Sequence, residues 1–139
     1  MGDFNEMLQK YVDMEYEELV GVAKLALPDV LKACRAVDAE HDGLLMLASI
    51  LLSALGADKK LSAKERRFLQ DAVNLQGEGI DKLVGLYDSQ MEYITDRFVD
   101  TMPNEIATST TILVLCLLAC DGVISVEENA FIRKLIAKS

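Results

Sequence analysis

Four carboxylates stand in a repeated setting. Asp58 and Glu65 recur, at the same separation, as Asp121 and Glu128. The first copy reads Asp58-Lys59-Lys60-Leu61-Ser62-Ala63-Lys64-Glu65-Arg66-Arg67-Phe68-Leu69, and the second Asp121-Gly122-Val123-Ile124-Ser125-Val126-Glu127-Glu128-Asn129-Ala130-Phe131-Ile132. Both fit Asp-x-x-[Leu/Ile]-Ser-x-x-Glu-x-x-Phe-[Leu/Ile]. Carboxylate oxygens suit hard divalent cations, so four of them gathered at two corners would form a site for Ca²⁺, Mg²⁺ or Mn²⁺. The same residues have a purely architectural use. Ser62 with Glu65, and Ser125 with Glu128, have capping-box spacing: the serine oxygen takes the third N–H of a helix and the glutamate returns to the serine N–H. Asp58 and Asp121 then bond the turn backbone, and Leu61 and Ile124 plug into the core. Both readings stand at this point. The copies differ at one position, where Lys59 replaces Gly122. Lysine resists positive φ at a cost of about 1 kcal/mol, and its ammonium repels a cation, so Asp121 and Glu128 are the better pair.

Other groups carry weaker chemistry. Asp38-Ala39-Glu40-His41-Asp42-Gly43 imitates the opening of an EF-hand loop, but Ser49 occupies the twelfth position, where a bidentate glutamate belongs. It reads as a solvated turn between helices. A hydrolytic triad would have to use His41, the single histidine, and no Gly-x-Ser-x-Gly elbow accompanies it. Cys116 and Cys120 lie one helical turn apart and would suit a soft metal or an oxidant. Their neighbours Leu115, Leu117, Leu118 and Ala119 favour inert, buried thiols instead. No P-loop, dinucleotide fingerprint or paired Cys-x-x-Cys is present. A non-catalytic protein is expected.

The elements that must position these residues are helices. Phe4, Met7, Leu8, Tyr11 and Val12 have helical spacing. A helix from Tyr16 to Leu27 is expected to stop before Pro28, which suits the first turn of a following helix carrying Val30, Leu31, Cys34 and Val37. Leu44 to Ala57 is an apolar helix ahead of the first corner, and a helix started by Pro103 and ending at Cys120 precedes the second. Ile80, Leu83, Val84 and Tyr87, then Met91, Ile94, Phe98 and Val99, mark two more. Alternation at period two is absent. These features predict one all-α domain over residues 1–139, with seven to eight helices in two pseudo-symmetric helix-turn-helix halves, about 38–75 and 101–138. The apolar runs Leu44–Ala57 and Ile112–Cys120 fall short of the roughly 20 residues a span needs, so they are expected to be buried helices rather than membrane spans.

Composition narrows the partners. Apolar residues are 51% of the 139, enough for a core, and the net charge is −9. Nucleic-acid binding draws on Lys and Arg at phosphates, and no basic stripe is present, so nucleic acid is not an expected partner. Cations and basic protein partners are favoured, and the acidic run Asp13, Glu15, Glu17 and Glu18 is a candidate dock as well as a solvated face. Three cysteines among apolar residues and a polar start without a secretory signal lead to the expectation of buried free thiols in a reducing cytoplasm.

The stretch Ala119-Cys120-Asp121-Gly122-Val123-Ile124-Ser125-Val126-Glu127-Glu128, with Leu113 to Leu118 before it and Phe131 to Ile136 after it, resembles the signature of the TerB-like (tellurite resistance protein B) family. The first copy matches more loosely, and together they cover about residues 38 to 138. The resemblance implies an all-helical cytosolic bacterial protein acting in resistance to tellurite and other stresses, with metal binding by the acidic turn residues. By position these are Asp58, Glu65, Asp121 and Glu128. The alternative is a protein-interaction module whose corners are structural and hold no metal.

Overall fold

The computed structural model describes residue 6 and residues 9–55, 61–121 and 130–139. Every regular element among them is helical, as the periodicity predicts. After a helical turn at 9–12, α1 spans Tyr16–Val37, α2 Leu44–Leu55, α3 Ala63–Phe68, α4 Gly77–Leu86, α5 Ser89–Thr101, α6 Asn104–Asp121 and α7 Ala130–Lys138. A 3₁₀ turn, Ala39–His41, links α1 to α2, and α3 continues as a π-helical segment, Leu69–Val73. The comparison between the two corners rests on residues 56–60 and 122–129, which lie outside the described residues.

The helix α6 forms the centre. Leu113 to Ala119 are all buried, and α1, α3 and α7 pack around it, as does the other apolar helix, α2. A helix that is apolar on nearly every side needs such surroundings. By length and composition alone α6 would cross a membrane, yet more than half of it is buried inside the molecule. It starts earlier than its apolar run, through Asn104–Thr111, because hydroxyls can be buried when they bond back along the helix. Thr110 and Thr111 donate to the Ile106 and Ala107 carbonyls at 2.7 and 2.8 Å. Ser49 and Thr95 do the same toward Leu45 and Met91, so these buried hydroxyls are satisfied.

The expected break at Pro28 does not occur: α1 runs through it as one helix of 22 residues. Its buried stripe of Leu19, Ala23, Ala26, Val30 and Cys34 lies along α6 on both sides of the proline. Packing of that stripe outweighs the roughly 3 kcal/mol by which proline disfavours a helix interior. Pro28 itself points to solvent, so water can reach the backbone carbonyl that loses its donor. Gly77 and Gly79 lie within the first turn of α4. There the Arg66 guanidinium joins α3 to α4, donating to the Gly77 carbonyl at 3.4 Å and to Asp81 at 2.8 Å.

The Asp38–Gly43 stretch is a tight corner rather than a cation loop. One Asp38 oxygen accepts the N–H groups of Leu45 and Met46 at 3.1 and 3.2 Å, capping α2 from outside. The other lies 2.8 Å from His41 Nδ1. This carboxylate is committed to architecture, and His41 is half-buried beside it rather than a free surface residue. At the far end of the chain, Lys134 and Lys138 of α7 donate to the Asp96 and Asp100 carbonyls of α5 at 3.2 and 2.7 Å. Lys134 also pairs with both aspartate carboxylates, and its hydrogen bond holds the Asp100 carboxyl below its usual range.

Candidate functional site

Of the four carboxylates singled out in the sequence, Glu65 and Asp121 lie within the described residues; Asp58 and Glu128 lie outside them. Glu65 is in the first turn of α3 and is 6% exposed. Ser62 precedes the helix with extended backbone (φ −69°, ψ 166°), and its hydroxyl accepts the Glu65 N–H at 3.1 Å. Glu65 Oε1 in turn accepts the Ser62 N–H at 2.8 Å. The capping box expected from the spacing is therefore formed, and Leu61 ahead of it packs against the core. One oxygen of the carboxylate serves the backbone, and the positive end of the helix favours its charge.

Asp121 is the last residue of α6 and is half-buried. The residue before it connects the two repeats. The Cys120 thiol donates to the Leu117 carbonyl at 2.9 Å and faces the Lys64 carbonyl at 3.8 Å. Thus the first turn of α3 packs on the end of α6. Burial pushes the Cys120 thiol up to about 12; Glu65, Asp121 and Cys116 add to the rise and Lys64 opposes it. One carboxylate from each repeat therefore bears on the same thiol. Among the described residues no group of three or more His, Cys, Asp or Glu side chains is placed to hold a metal ion.

A second cluster, which sequence reasoning missed, lies where α1 begins. Tyr16 donates to Asp71 at 2.6 Å, and the Arg67 guanidinium sits 4.5 Å from the centre of its ring. Arg67 also pairs with Asp71 at 3.6 Å. Arg67 and Asp71 are four residues apart, a spacing that lets them meet along one helix, but their joint partner is distant in sequence and left no local signal. The π segment carries Asp71 while turning Leu69 and Ala72 into the core. Such segments often mark functional sites. Here, however, burial and the Asp71 hydrogen bond raise the Tyr16 hydroxyl to about 12, leaving it a poor nucleophile.

No match was found. Comparison with protein-family models, curated proteins and solved structures returned none for this chain, so the chemistry must be read from the geometry itself. An apolar void of about 10 Å³ between α2, the π segment and α4, lined by Leu47, Leu51, Leu69, Leu75, Ile80 and Leu83, is too small for a substrate.

The thiols are held protonated. Cys34 and Cys116 are buried, and that burial raises each to about 12. The thiolate is the reactive form, so at pH 8 the native protein is expected to react with a disulfide reagent at least about a hundredfold more slowly than the unfolded chain. Stability follows the same shifts. A thiol whose folded value lies above its ordinary 9.0 contributes stability below that pH, and the contribution is lost as pH rises toward about 12. Thermal melts between pH 7 and pH 11 check this: the melting temperature should hold steady to about pH 9 and then fall.

Proposed function

We propose that this chain is a TerB-like, non-catalytic cytosolic module that acts by binding protein partners, its first corner being part of the scaffold. The observation that carries this reading is the capping box, in which the Glu65 carboxylate is bonded to the Ser62 N–H and buried against the end of α6. The repeated Asp-x-x-[Leu/Ile]-Ser-x-x-Glu pattern supports the family reading. Through that resemblance the module would serve resistance to tellurite or other stresses. A net charge of −9 favours basic partners.

A second reading keeps a divalent cation, Ca²⁺, Mg²⁺ or Mn²⁺, at the second corner, held by Asp121 and Glu128 with Asp58 and Glu65 secondary. It is supported by the two carboxylates, Glu65 and Asp121, that both raise the Cys120 thiol after burial has done so, with the Lys64 charge opposing them.

Paired variants at Glu65 test the scaffold reading. Glutamine fills the third position of a capping box as glutamate does. Glu65→Gln is therefore expected to stay within about 0.5 kcal/mol of the parent, while Glu65→Ala loses about 1–2 kcal/mol by removing a buried partner of the Ser62 N–H. Urea unfolding monitored by circular dichroism measures both. Equal losses in the two variants would show that the charge, not the cap, is what the corner uses.

A further inference from the structure

The outward face of α1 is not accounted for by packing within the chain. Leu25 is 83% exposed at its middle. Glu18, Gly21, Asp29 and Lys32 lie on the same stripe, at helical spacings from Leu25, and all are exposed, so that Asp29 mirrors Gly21 about Leu25. Gly21 is unexpected in a helix interior, where glycine is weaker than alanine, and a Cβ there would meet nothing within 4 Å. A backbone approaching closely from outside the chain would give that glycine a use.

The charges at the two ends of this helix are unlike, with the exposed Lys24 and Asp29 between them on either side of Leu25. Glu17 and Glu18 occupy its first turn, whereas Lys32 and Arg35 lie toward its end. Glu18 and Lys32 are equidistant from Leu25, about two turns to either side. Such a face is complementary to itself when reversed, which is what a two-fold interface requires.

We infer that a second copy of this chain docks here, α1 antiparallel to α1, with Leu25 of each copy meeting at the two-fold axis. Glu18 then lies opposite the partner's Lys32, and Glu17 flanks the partner's Arg35. Leu25 loses its contact with water, and Gly21 lets the two backbones come close. The net charge of −9 on each copy opposes association in general, so the local pairing of unlike charges decides the orientation. Self-association on this face is independent of whether either corner binds a cation.

Sedimentation equilibrium of the full chain, up to about 1 mM because one helix face is a small interface, tests the inference. The parent is expected to rise from 15.3 kDa toward twice that mass with concentration. Glu18→Lys and Lys32→Glu should each weaken the dimer by at least about tenfold by creating two like-charge contacts. The double variant Glu18→Lys/Lys32→Glu should restore it. These positions are exposed, and circular dichroism confirms that each variant folds. Leu25→Cys, at the axis, should form a disulfide-linked dimer on oxidation. A parent that stays at 15.3 kDa throughout overturns the inference, as does a double variant that remains as dissociated as the single ones.

Discussion

Gly43→Ala is expected to lower stability by about 3 kcal/mol, a fall of roughly 6–12 °C in melting temperature. Two costs add at this position. Gly43 has φ +81°, a conformation that side chains with a Cβ adopt only under strain. It also lies against α1: an added Cβ would stand 2.8 Å from the Arg35 backbone nitrogen and 3.1 Å from the Cys34 carbonyl carbon. Backbone cannot swing aside as the end of a side chain can. The corner depends on this contact, since the Gly43 N–H donates to the Asp38 carbonyl at 2.7 Å and the Gly43 carbonyl takes the Leu47 N–H at 2.9 Å. Displacing it would pull the Asp38 carboxylate from the first turn of α2. Differential scanning calorimetry of the variant measures the loss; a change below about 1 kcal/mol would show that α1 and α2 can separate there at little cost.

Phe68→Ala is expected to cost about 3–5 kcal/mol, and Phe131→Ala clearly less. The two phenylalanines occupy the same place in the repeated pattern but not the same environment. Phe68 is fully buried at the junction of α3 and the π segment, whereas Phe131 is half-buried in α7. Truncating Phe68 leaves a cavity under the first corner and loosens the helix that carries Glu65. Chemical denaturation of both variants gives the comparison, and equal losses would mean that the repeats bear on the core alike.

The fold class was legible because helical periodicity and apolar content act locally and agree. The capping box at Ser62 and Glu65 was legible for the same reason, as both partners lie within one turn. Pro28 misled because local propensity favoured a break while a stripe from Leu19 to Cys34, spanning it, favoured continuity; long-range packing won. Asp38 and Tyr16 were opaque because their partners are set by tertiary structure. Asp38 reaches past its own turn to Leu45 and Met46, and Tyr16 meets Asp71 across 55 residues of chain. The carboxylates were ambiguous on chemical grounds, since an oxygen that can ligate a cation can equally accept an N–H.

Isothermal titration calorimetry of chelator-treated protein with Ca²⁺, Mg²⁺ and Mn²⁺ puts that ambiguity to the most direct test. A scaffold corner predicts no saturable heat with any of the three ions and no ion-dependent gain in melting temperature. Saturable binding that is lost in Asp121→Asn would contradict the scaffold account and establish the acidic corners as a cation site.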